Sequence, residues 1–197
     1  MHGLTAGHLT IKLIKTHNMK KVLLSLLSLI VFATTWAQTK VYQTKAGQVK
    51  FFSGTKAEDI EAVNNQVDSK LATNGQLIFM LLIKGFKFDN ATMQEHFNEN
   101  YMESDKYTKS TFAGAITNIS EVNFAKDGVY NVTVAGTLEI HGVKKQVTAP
   151  GTIEIKGGKV TAKSKFNIAI ADFGIKGSYI GSKIASNIEI TVDCKYD

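Results

Sequence analysis

Glu95, His96 and Glu99 are the residues whose types and spacing first suggest chemistry. Carboxylates and an imidazole spaced along one helix are ligand types for zinc or a related metal. A competent site also needs further ligands and outer partners that orient them. The chain offers few. Beyond residue 37 it has two histidines, His96 and His141, and one cysteine, Cys194. Nucleophile–base pairs are therefore scarce. Cys194 alternates with apolar residues and reads as a small hydrophobe. His141 falls in a His-Gly turn. No G-x-S-x-G, phosphate-binding loop or dinucleotide fingerprint occurs. Glutamates four residues apart also suit a solvated helix face. The expectation is a non-enzymatic protein with no catalytic residue, no metal and no cofactor.

The elements that would position any site begin after a processed end. Met19-Lys20-Lys21 is a basic start, and Val22 to Phe32 is an unbroken run of 11 apolar residues and serines. Thr35-Trp36-Ala37 then sets small residues at both positions that a signal peptidase reads. Residues 19–37 are expected to be a secretory signal peptide cut after Ala37, and residues 1–18 an overlong or mis-started extension. The run is too short to span a bilayer, which takes about 20 residues. Residues 38–197 form the expected mature domain, periplasmic or secreted. All 23 basic residues are lysine, and four precede residue 37, leaving 19 against 17 acids. A net charge near neutral, with no arginine fork, argues against nucleic acid as a partner. One cysteine allows no internal disulfide. The fold must hold by burial.

Turn signals dominate the mature chain. Asn74-Gly75, Asp127-Gly128 and Gly157-Gly158 each sit between alternating runs, with His141-Gly142 a weaker candidate. Pro150, the single proline, is expected at a strand break or edge bulge. Tyr130 to Ile140, Val160 to Ile170 and Ile188 to Tyr196 each alternate apolar with polar, giving one dry face and one wet face. Many such strands make a sandwich or closed barrel, so the class is all-β. Leu77 to Phe88 is apolar on both faces, and its parity changes after Gly85, which predicts a bulge there. Its second face, Ile78, Met80 and Leu82, needs cover from a homodimer partner, a packed loop or its own chain. Met93 to Phe112 is the one long helical pattern. Thr92 and Glu95 fit a capping box, and Met93, Phe97 and Tyr101 make an apolar stripe. This segment is expected to be a short helical lid.

What remains for function is the interior. The predicted lumen and lid residues are Leu77, Phe79, Leu81, Phe86, Phe88, Met93, Phe97, Tyr101, Phe112, Gly114, Ile116, Val134, Gly136, Leu138, Ala162, Ser164, Phe166, Ile168, Ile190 and Val192. Gly114, Gly136, Ala162 and Ser164 are expected to leave space for a ligand. An apolar lumen suits a long, thin, oily molecule. An outer-membrane barrel would put its apolar face outside. Here the polar faces carry Lys163, Lys165, Glu189, Asp193 and Lys195 over whole strands, and no aromatic girdle flanks the apolar sets. A barrel that does not span the membrane is favoured.

The segment from Met93 to Ile116, MQEHFNENYMESDKYTKSTFAGAI, resembles the passage from helix into strand of the YceI-like family. Gly136 to Val143, GTLEIHGV, followed by Lys144 to Val147, KKQV, is similar to that family's hairpin. Asp172-Phe173-Gly174-Ile175 resembles its "DFGI" turn. The likeness runs from about Val41 to Tyr196. Two positions depart: Thr108 stands where the family often has proline, and an Arg-Asp pair before the helix is absent. The resemblance implies an extended eight-stranded antiparallel, lipocalin-like barrel with an elongated apolar tunnel. It implies a bound polyisoprenoid, such as a polyprenyl phosphate or isoprenoid quinone, or a similar long-chain lipid, for transport or storage. It also implies a periplasmic setting and a frequent dimer. The alternative is an envelope or stress interaction protein acting through its surface.

Overall fold

The computed structural model describes residues 39–197. The expected leader and the extension before it lie outside these residues. Eight strands run in chain order around a closed barrel, each antiparallel to its neighbours. They are β1 (Val41–Gly54), β2 (Asp59–Ala72), β3 (Gln76–Leu82), β4 (Lys109–Ile116), β5 (Gly128–Ile140), β6 (Val143–Lys156), β7 (Lys159–Ala169) and β8 (Asn187–Tyr196). The alternation read in β5, β7 and β8 is the alternation found. Apolar residues point inward, while Lys163–Asp193 (3.4 Å) and Lys165–Glu189 (2.9 Å) pair across the outer face. This is the reverse of a bilayer-facing barrel. No helix among the described residues is long and apolar enough to cross a membrane.

Tight turns close the hairpins where glycine permits a left-handed backbone. His141 and Gly142 have φ of 53° and 74°, and Gly157 and Gly158 have 57° and 77°. Paired left-handed residues match strand twist in a two-residue loop. His141-Gly142, the weaker candidate, is thus a true hairpin tip between β5 and β6. Asp127-Gly128 is not. A longer stretch with a 3₁₀ turn at Ile119–Glu121 joins β4 to β5. The Asp127 carboxylate instead accepts from the Gly157 backbone N–H (3.0 Å), tying this stretch to the neighbouring hairpin.

Two further expectations change. No bulge forms at Gly85: β3 ends at Leu82, and Ile83–Gly85 is a 3₁₀ turn. The buried Asn64 holds it, donating from Nδ2 to the Leu82 carbonyl (2.9 Å). The register shifts lie on β1 around Gly47, where a Cβ would come 2.6 Å from the Cys194 sulfur. Pro150 neither breaks nor bulges β6. It pairs in register with Thr133, just beyond the last β6–β7 pair, Gly151 with Ser164. Its missing N–H falls where no β7 partner is present to receive it.

One end of the barrel is solid. Leu71, Ile153, Ile155, Val160 and Cys194 are fully buried there, with Tyr42 and Tyr196 beside them. Tyr196 and Ser69 share a buried hydroxyl–hydroxyl hydrogen bond of 2.8 Å. The Tyr42 and Phe124 rings stack at 5.7 Å across this floor. The opposite end carries the β1–β2 turn, the β3–β4 connection, the His141-Gly142 turn and the segment leading into β8.

Candidate functional site

Above the floor the barrel is hollow. A cavity of about 540 Å³ runs upward from Leu77, Ile116, Val132 and Ile153 to a mouth bordered by Glu58, His96, Tyr179 and Lys183. This lies within the usual range of small-ligand pockets, about 300–1,000 Å³. Its wall is overwhelmingly apolar, with phenylalanine prominent.

The β3–β4 connection covers the mouth. A short helix, α1 (Ala91–His96), continues as a π-helical turn over Phe97–Tyr101. The N-cap is Asn90, not Thr92: its side-chain oxygen accepts from the Thr92 and Met93 backbone N–H groups (2.9 and 3.1 Å). The helical pattern read through Phe112 stops early. Glu103 takes a left-handed φ of 43°, and the chain from Lys109 enters β4. Phe97 is the plug. Its ring lies 5.4 Å from Phe51, 5.7 Å from Phe86 and 5.1 Å from Phe88. Aromatic rings at such distances attract beyond their burial alone.

The tail of the lid is fastened. Met102 and Ser104 are buried, and the Ser104 N–H donates to the Asn98 carbonyl (2.8 Å). His141 Nε2 lies 2.9 Å from Glu103 Oε2, and its ring packs 4.2 Å from that of Tyr107. His141 is thus more than a turn residue, because it anchors the lid to the β5–β6 hairpin. Sequence pattern could not show this, since the partners are 38 positions apart.

The predicted lining residues border the cavity, with two exceptions. Gly114 and Gly136 do not leave space for a ligand. A Cβ at Gly114 would stand 2.6 Å from the Phe112 ring, and one at Gly136 2.7 Å from it. The two glycines let the β4 and β5 backbones approach closely, a Cβ at Gly136 standing 2.5 Å from the Ala113 carbonyl oxygen, and make room for their own chain's phenylalanine. Val49, Phe51, Ile60, Val147, Ala149, Ile175, Tyr179 and Ile184 also border the cavity and were not foreseen. The alternation of Val49 and Phe51 was a usable signal, obscured by the irregular stretch around Gly47. Tyr179 and Ile184 lie in an aperiodic segment that offered none.

Glu95, His96 and Glu99 are exposed. Among the described residues no group of three His, Cys, Asp or Glu side chains converges as a metal site. Cys194 is sealed in the floor. Burial first, then the neighbouring Asp193 charge, push its thiol up to about 12, so it stays protonated and unreactive near neutral pH. Burial and nearby Tyr179 raise the Tyr101 hydroxyl above its ordinary value. On the outer wall Ile78 and Leu82 are more than half exposed and Met80 about a third.

A filled floor, a hollow apolar upper half and a fastened lid are features that comparison with known proteins can now place. The sequence model of the YceI-like domain matches residues 28–196. This chain belongs to the YceI-like family. No curated protein sequence matches this family member. Among solved structures, it is similar to a polyisoprenoid binding domain from Saccharophagus degradans implicated in plant cell wall breakdown. That likeness has a TM-score of 0.70 at 12% identity, over 81% of this chain and 99% of that one. BcnA of Burkholderia cenocepacia is also similar, with a TM-score of 0.62 at 18% identity, over 75% of this chain and 94% of that one. At such identities the likeness establishes the barrel fold that this YceI-like chain shares with them.

Proposed function

We propose that this YceI-like protein is a periplasmic or secreted, non-enzymatic carrier or store. It holds the apolar chain of a polyisoprenoid, such as a polyprenyl phosphate or isoprenoid quinone, or a similar long-chain lipid. The observation that carries this reading is the apolar cavity between the filled floor and the Phe97 plug. Each buried CH₂ contributes about 0.8 kcal/mol, so ten give roughly 8 kcal/mol before the ordering cost. The similarity to a polyisoprenoid binding domain supports the choice of chain. Native mass spectrometry of the protein purified from its own envelope tests it. The expected result is a tightly bound lipid adduct of long-chain mass. Its absence, with a cavity too narrow to admit an alkyl chain, would overturn the reading.

A second reading rests on exposed Ile78, Met80 and Leu82. They would serve a homodimer or envelope partner. Met80→Lys is expected to weaken self-association and leave lipid content unchanged. Lost lipid with association intact would count against a surface role.

A further inference from the structure

The eight seams of the barrel are unequal. On the side facing β5, every residue of β6 from Val143 to Ile155 pairs. On the side facing β8, β7 pairs along nearly its whole length, Val160 to Ala169. Between β6 and β7 themselves, pairing covers only Gly151–Lys156 with Lys159–Ser164 and then stops. The segments Val143–Pro150 and Lys165–Ala169 run on toward the mouth with no ladder between them. A single side-chain bond, Ser164 Oγ to the Pro150 carbonyl (2.6 Å), marks the point where they part. Proline is apt at this point, because it has no N–H to offer β7.

The cavity reaches this split. Val147 and Ala149 border it from β6, and Phe166 and Ile168 border it from β7. Thr152 and Lys163 belong by alternation to the outer face, yet they border the cavity as well. The cavity therefore comes close to the wall beside the last β6–β7 pairs.

Resting on the lipid-holding reading, we infer that the split between β6 and β7 is a lateral portal. Through it an alkyl or polyprenyl chain slides sideways into the barrel while its polar head group stays outside the wall. The β2–β3 ladder also stops short of the mouth, at Asp68 with Met80, but there Asn64 bonds the Leu82 carbonyl and Val63 pairs with Lys87 to bridge the gap. Between Val143–Pro150 and Lys165–Ala169 no ladder has to break, and the Ile170–Phe173 turn packs against β6 at the end of the split nearest the mouth. The mouth is a poorer route. Phe97 would have to leave three rings, and the Glu103–His141 contact would have to open.

Cross-linking separates the two routes. Thr148→Cys with Asn167→Cys places two exposed thiols on opposite sides of the split, one on each strand. Glu103→Cys with His141→Cys places two across the lid contact. Cys194 is buried and does not compete for a short bis-maleimide. The probe is a fluorescent polyprenyl phosphate carried in phosphatidylcholine vesicles, and the rate and extent of uptake are both read. Pinning the split is expected to slow uptake roughly tenfold without changing the final extent, whereas pinning the lid leaves both within about twofold. The uncross-linked Thr148→Cys/Asn167→Cys variant should match the wild type, and each cross-linked protein is compared with its own uncross-linked double variant. An unchanged rate with the split pinned, or slowing only with the lid pinned, overturns the portal and leaves lipid holding intact. No uptake by the wild type overturns both.

Discussion

The floor and the upper half of this barrel share the same eight strands and the same alternation, yet one is packed solid and the other is hollow. Residue size does not explain the difference. The solid half contains Ala162 and Cys194, and the hollow half contains Phe51, Phe86, Phe88, Phe97 and Phe166. Backbone spacing does. At the floor, β6 and β7 pair, and side chains from opposite walls meet. Toward the mouth, β6 and β7 part, and β3 gives way to a 3₁₀ turn. Large rings then line a space that they do not fill. A small barrel can fill with side chains or hold a ligand, and this one does both, in different halves.

Three perturbations should separate the halves. The largest effect belongs to the floor. Leu71 is fully buried, and Leu71→Ala is expected to lower unfolding free energy by about 2–5 kcal/mol in urea titration. Lipid retention by the folded fraction should not change. Phe97→Asp should do the reverse: lipid release should quicken by roughly tenfold, with a stability loss nearer 1 kcal/mol because the ring is only half-buried. If both variants lowered retention and stability alike, the division into halves would fail.

The smallest effect is at the hydroxyl pair in the floor. Tyr196→Phe leaves the buried Ser69 hydroxyl without its partner and should lower stability by about 1 kcal/mol. The floor also sets an alkaline limit. The folded Cys194 thiol is raised from 9.0 to about 12, and the Tyr196 hydroxyl is likewise raised above 10.0, both chiefly by burial. Below pH 9.0 folded and unfolded chains keep both protons. Above it the unfolded chain loses them first, so stability should fall as pH climbs from 9.0 toward about 12. The slope should be at most about 1.4 kcal/mol per pH unit per group. Cys194→Ala should flatten the first part of that decline. A pH-independent unfolding midpoint across this window would place these groups in water.

Much of the wall was legible because alternation is a local signal. In β5, β7 and β8 each residue declares its face, and the lining residues they contribute border the cavity. The lid stripe Met93, Phe97 and Tyr101 was legible for the same reason. Non-local features stayed hidden. Gly114 and Gly136 looked like vacant space, and only the register of β4 with β5 and the position of the Phe112 ring show what occupies it. The Asn90 cap, by contrast, is a local signal that was missed, since asparagine is a favoured cap and bonds the N–H groups two and three residues on. The role of His141 depends on Glu103, and the place of Pro150 depends on where another strand stops pairing. Register between strands is a tertiary quantity, and turn chemistry near the split does not encode it.

The most direct measurement is an experimental electron-density map of the protein purified from its native envelope. The account predicts continuous tubular density in the upper half, beneath Phe97, ending above Leu77, Ile116 and Ile153, with none below Leu71. Density for side chains alone, with Phe79, Phe112 and Phe166 collapsed together across the lumen, would contradict it.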